Sequence, residues 1–152
     1  MNRRKVMTLL AAGLSVSVAP ALAAPGLARV DVFKSPTCGC CGAWVDHLRA
    51  AGFDVHVTEV NDTATARQRL GMPEAYASCH TATVGGYVIE GHVPAAEVKR
   101  LLAARPAMRG LAVPGMPPSS PGMDVPGRRD PYAVLLIDRL GRSSVYAHYP
   151  KS

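Results

Sequence analysis

Four cysteines carry most of the chemistry this chain can do. Three fall within four residues, Cys38-Gly39-Cys40-Cys41, and the fourth, Cys79, stands beside His80. Cys-x-x-Cys is the spacing of a dithiol redox pair. A third thiol inside that pair competes to form the wrong disulfide, whereas clustered thiolates suit a soft metal. Adjacent thiolates such as Cys40 and Cys41 do not readily share one relaxed tetrahedron, but bridging sulfurs can hold more than one ion. The plain alternative is two structural disulfides, as an oxidising compartment allows. Here such bridges would tie a tight cluster to itself and to Cys79, closing short loops for little gain against their strain.

Soft sulfur ligands select Cu(I), zinc or iron–sulfur clusters. A structural zinc site usually brings two Cys-x₂₋₄-Cys pairs, and this sequence has one, so zinc ranks behind copper. Met116 and Met123, in Gly115-Met116-Pro117 and Pro121-Gly122-Met123, add thioethers that favour copper; simple packing or exposure is the other reading of both. His80 either ligates through its imidazole or satisfies a backbone carbonyl. His92, in Gly91-His92-Val93-Pro94, is a weaker candidate, and His47, His56 and His148 read as ordinary surface residues. Neither a Ser-His-Asp arrangement, nor a phosphate-cradling glycine loop, nor a carboxylate pair suited to hydrolysis is present.

These residues need elements to hold them. Val30 and Val32 alternate as a first strand, and the cysteine cluster sits in the turn that opens a helix with Trp44, Val45, Leu48 and Ala51 on one face. Phe53, Val55 and Val57 predict a second strand, and Asn61-Asp62 caps a second helix running to about Leu70. Thr81–Val84 and Tyr87–Glu90 flank a Gly85-Gly86 hairpin turn, and a third helix spans Ala95 to Ala103. The order β-α-β-α-β-β-α is the thioredoxin arrangement, an α/β fold. It puts Cys79-His80 in the loop facing the cysteine turn. Thioredoxins place a cis-proline in that loop, whereas this chain has no proline between Pro73 and Pro94. A helix N-terminus carries partial positive charge and eases thiol ionisation, at Cys41 above all.

The N-terminus reads as an export signal. Arg3, Arg4 and Lys5 precede the apolar run Val6–Val18, and Ala21-Leu22-Ala23 supplies small residues for cleavage. Paired arginines fit the twin-arginine route as well as the general secretory one. Cleavage after residue 23 leaves a single domain, 24–152, with its core at about 28–105 and an extension at 106–152. It also removes three positive charges, taking the formal net charge from +6 to +3, so basicity gives nucleic-acid binding little support. The predicted location is the periplasm, with no stable membrane span once the signal is gone. From Pro106 to Pro131 seven prolines and four glycines predict an extended surface segment, followed by a closing β-hairpin at Tyr132–Ile137 and Ser143–Tyr149.

The chain resembles the CopG-type family, thioredoxin-like periplasmic proteins of bacterial copper resistance, often described only as metal-binding or of unknown function. The resemblance rests on Lys34-Ser35-Pro36-Thr37-Cys38-Gly39-Cys40-Cys41-Gly42, Ser78-Cys79-His80-Thr81 and Gly86–Ala95. Gly110–Pro117 and Ser120-Pro121-Gly122-Met123 complete it. It implies copper binding, with Cys38, Cys40, Cys41 and Cys79 as ligands and His80, Met116 and Met123 in support. It further implies interconversion of Cu(I) and Cu(II), or transfer to other periplasmic copper-handling proteins. A thiol–disulfide oxidoreductase using Cys38 and Cys41 stands as the alternative from a different class.

Overall fold

A computed structural model of the chain describes residues 28–151, so the expected export signal lies outside the described residues. Strand β1 (Arg29–Lys34) leads to helix α1 (Gly39–Ala50), then β2 (Asp54–Glu59) and α2 (Thr63–Arg69). A short 3-10 turn at Glu74–Tyr76 precedes β3 (His80–Val84) and β4 (Tyr87–Glu90). Helix α3 (Ala95–Ala104), β5 (Gly110–Ala112), β6 (Tyr132–Ile137) and β7 (Ser143–Tyr149) follow. The expected β-α-β-α-β-β-α order thus holds through α3, in a mixed α/β molecule.

All seven strands join one sheet in the order β2-β1-β3-β4-β5-β6-β7. Strand β1 runs parallel to β2 and antiparallel to β3, with Lys34 opposite His80. That register brings the chain leaving β1, with its cysteines, to the same end of the sheet as the residues entering β3. Val30 and Val32 point inward, and Trp44, Val45 and Leu48 of α1 bury against them, as their helical spacing requires. Val98 and Leu101 close the core from α3. Asp62 caps α2 by accepting a hydrogen bond from the Ala64 amide at 2.9 Å.

Two details differ from the sequence expectation. Val57 does not complete the buried alternation of β2: it is 38% exposed, on a strand at the edge of the sheet. The segment 106–131 is not wholly a surface run. It contains β5, where Leu111 and Ala112 are fully buried, as is the following Val113. Three residues give too short a pattern to stand out among prolines. The strand pairs closely with β4, and a Cβ on Gly110 would collide with the Val88 carbonyl oxygen, so only glycine permits the approach.

Strand β5 carries the closing hairpin into the sheet through β6. Glu97 of α3 fastens it there. Its buried carboxylate accepts from the Tyr149 hydroxyl at 2.8 Å and pairs with Lys151 and Arg100, both at 2.7 Å. Burial works to raise the Glu97 carboxyl, but these partners outweigh it and hold the group below its ordinary value. Arg100 also lies over the Tyr146 ring. The extension is therefore part of the domain core. Accordingly, Leu111→Ala should lower the stability of the whole domain by about 2–5 kcal/mol in one cooperative transition. A chemical denaturation curve showing a loss confined to the hairpin, or none, would contradict this integration.

Candidate metal centre

Helix α1 opens on the cysteine cluster. Cys38 is its N-cap, so Cys40 and Cys41 lie in the first turn, which has no acidic residue. The positive end of the helix dipole is left to the sulfurs. One turn of helix brings the N-cap and third positions together, and Cys38 and Cys41, with Cα atoms 5.4 Å apart, are joined as a disulfide. The pair that spacing marked as a redox couple is thus oxidised here, while Cys40 and Cys79 remain free. Cys40 Sγ lies 3.5 Å from Cys38 Sγ and 3.9 Å from Cys79 Sγ. Cys41 Sγ is 3.7 Å from the Cys79 carbonyl oxygen.

The loop before β3 faces this turn, as expected, and puts Cys79 where two imidazoles converge. Its Sγ is 3.3 Å from His80 Nδ1 and 3.0 Å from His92 Nε2. The four cysteine sulfurs form one group of potential ligand atoms within 4.8 Å of one another, and Cys79, His80 and His92 form a second. Cys79 belongs to both. Burial first, and then the nearby Cys40, push the Cys79 thiol up to about 12. At neutral pH it therefore keeps its proton, which a bound metal would have to displace.

His92 matters more than its sequence context suggested. Its Nδ1 lies 2.8 Å from the Pro121 carbonyl, an acceptor only, so Nδ1 carries the proton and donates. The Nε2 lone pair is thereby turned on Cys79. A backbone carbonyl that fixes the far nitrogen is the usual support of a metal-ligating histidine. Nothing in the sequence pairs residue 92 with residue 121, so this arrangement was legible only in three dimensions. His80 is fully buried with its ring 4.4 Å from Trp44, and its Nε2 has no hydrogen-bond partner. Burial, reinforced by His92, lowers its pKa to about 3, which keeps the imidazole neutral and able to ligate. The donor set of soft sulfurs and neutral imidazoles fits a thiophilic transition metal.

The proline-rich arm closes over this cluster. Besides the Pro121 carbonyl, it presents Gly122, where an added Cβ would meet the Trp44 nitrogen at 2.7 Å and the Cys40 carbonyl at 2.8 Å. At φ 85° this position also favours glycine on backbone grounds. Further along, the Gly115 amide donates to the Ala77 carbonyl at 2.9 Å and the Ser78 hydroxyl donates to the Gly115 carbonyl. Met116 and Met123 each adjoin one of these anchor points, Met116 half exposed at 52% and Met123 half-buried. His56 and His148 are exposed, as expected. His47 is not an ordinary surface residue: it is half-buried, and its Nε2 accepts from the Ala95 amide at 3.0 Å, capping α3.

Beneath Cys79 lies a buried ion pair. Glu90 accepts from the Ser78 amide at 2.8 Å and the Thr81 hydroxyl at 2.6 Å, so it holds the chain on both sides of Cys79-His80. Arg67 Nη1 reaches Glu90 at 3.3 Å and the Ser78 carbonyl at 3.4 Å, and its other nitrogens pair with Glu74. Burial pushes the Glu90 carboxyl up from its ordinary value, against the opposing hydrogen bonds from Thr81, Ser78 and Arg67. No local pattern points to this buttress, because its members are 23 residues apart.

Residues 76–123 match a family model described as "Protein of unknown function, DUF411". No curated protein matches the chain. Two solved structures do. One, of copper resistance protein CopG in form 2, shares 44% identity at a TM-score of 0.78, covering 82% of this chain and 99% of the other. The same protein in form 1 shares 43% at 0.77, with the same coverage.

The buttress gives a direct test of how the Cys79 loop is held. Glu90→Gln leaves Arg67 partly unpaired in a buried setting and should cost about 3–5 kcal/mol of stability. It should also speed alkylation of Cys79, followed by peptide-resolved mass spectrometry under native conditions. Unchanged stability together with an unchanged rate would remove Glu90 from that role.

Proposed function

Since this chain belongs to the CopG family of copper resistance proteins, we propose that it binds copper at the sulfur-rich end of its sheet and exchanges electrons with it there. Cys38, Cys40, Cys41 and Cys79 are the ligands in the reduced protein, joined by His80 and His92, with Met116 and Met123 at the rim. The observation that carries this reading is the position of Cys79, 3.9 Å from Cys40 Sγ and 3.0 Å from His92 Nε2. Thiolates favour Cu(I), and an imidazole beside them tolerates Cu(II). Zinc ranks behind copper. The protein works in the periplasm, where it receives or passes on copper through other copper-handling proteins. Among the described residues no helix is long and apolar enough to cross a membrane.

The Cys38–Cys41 disulfide favours a redox element in the same site. Forming it from two thiols releases two electrons and two protons. Two Cu(II) ions take one electron each and become Cu(I), so the dithiol is oxidised as the metal is reduced. This joins the thiol–disulfide chemistry of Cys38 and Cys41 to copper, without a protein substrate. Fully reduced protein mixed anaerobically with Cu(II) should therefore yield two Cu(I), trapped by a Cu(I)-selective chelator, for each disulfide gained. A Cys38→Ser/Cys41→Ser variant should lose most of that yield. Equal Cu(I) production by the variant, or production with no loss of thiols, would contradict the coupling.

A further inference from the structure

We propose that the protein has an anion site at the pole of the sheet opposite the cysteines: a groove lined by Arg105, Arg109 and Arg139 that takes a small polyvalent oxyanion, a polycarboxylate or a phosphate. The register that sets His80 against Lys34 at one end of β3 puts the Gly85-Gly86 turn at the other, far from Cys79. There, the end of α3 and the β6–β7 turn frame two adjoining cavities of about 400 Å³ and 300 Å³, which share Gly86, Met108 and Arg139. Arg105 borders the first and Arg109 the second, and no carboxylate lines either. Cavities of this size accommodate small molecules.

The charges in the groove are unspent. Arg29, Arg49, Arg67, Arg100, Arg128 and Arg142 each pair with a carboxylate. None of the three groove arginines pairs with one among the described residues. Arg109 donates through Nη2 to the Arg139 carbonyl at 2.9 Å, which ties the two segments together, while its Nε is buried with no partner. Arg105 is the C-cap of α3 with φ 47°, in the left-handed region where glycine sits without strain. It is the one described residue other than glycine with positive φ. The chain keeps a long cationic side chain at a position whose backbone favours none, which marks that side chain as useful. Guanidinium groups bind carboxylate and phosphate oxygens through paired N–H donors.

The test is an NMR titration of the protein with citrate and, separately, with inorganic phosphate at moderate ionic strength. The amides of Gly86, Met108 and Arg139 should shift saturably with at least one of them, and whichever binds tighter identifies the class of oxyanion. Arg105→Gly should weaken binding roughly tenfold, the loss of a charge-assisted contact, while leaving the thermal midpoint unchanged or higher because the backbone strain is relieved. Arg139→Ala should weaken it similarly. Lys99→Ala removes the same charge outside the groove, from a lysine over the Phe53 ring, and should leave affinity unchanged. Shifts scattered over the surface, an equal effect of Lys99→Ala, or saturable binding only of an acidic peptide would each overturn the proposal.

Discussion

The sulfur-rich end of the sheet is organised by the close approach of two chain segments, the first turn of α1 and the loop entering β3. The antiparallel register of β1 and β3 sets it, since Lys34 opposite His80 leaves the cysteine turn and Cys79 at one end of the sheet. The register alone does not fix a sulfur to within an ångström. That is the work of Glu90, fully buried, which binds the backbone before Cys79 and the side chain after His80 while Arg67 neutralises its charge. A buried ion pair is costly to assemble and more costly to break. Its position under the site accounts for a charge placed where an apolar residue would otherwise serve stability better.

Electrostatics and enclosure act together above that base. The positive end of the α1 dipole faces the cysteine turn, and the burial of Cys79 favours its protonated thiol. Both histidines are held neutral, His80 by burial and then by its neighbour His92, and His92 chiefly by burial. Without metal, Cys79 and both histidines are thus uncharged, and a cation supplies what the Cys79 sulfur needs to ionise. The proline-rich arm then serves as a wall of the site. Through Pro121 it orients His92, and through Gly122 it packs on the backbone of Cys40 and Trp44. A segment rich in proline and glycine follows such a path because its prolines restrict the backbone and its glycines allow contacts at backbone distance.

Much of this was legible in the sequence, for identifiable reasons. Alternation at Val30 and Val32, the helical face of Trp44, Val45 and Leu48, and the Gly85-Gly86 turn give local patterns strong enough to order the first four strands and three helices. The placement of Cys79 opposite the cysteine turn followed from that order. What escaped was non-local. The bond between His92 and Pro121 spans 29 residues, and the Glu90–Arg67 pair spans 23. The role of His47 as a cap for α3 depends on a partner 48 residues away. Strand β5 was hidden because three residues carry too short a period, and its status as a strand comes from β4 and β6 on either side. Which cysteines pair was left open by spacing alone, and the structure joins Cys38 and Cys41 while Cys40 and Cys79 stay free.

The sulfurs of both segments are proposed to form one copper site. Its most direct test is an anaerobic Cu(I) titration of the fully reduced protein against a competing chelator, with bound copper counted, in the natural chain and in Cys40→Ser and Cys79→Ser variants. Tight binding is expected, weakened by at least about tenfold in both variants, because each substitution removes a sulfur that faces the other segment. More than one ion per chain would indicate bridging thiolates. Failure to compete for Cu(I), or affinity and stoichiometry that survive both substitutions, would contradict it.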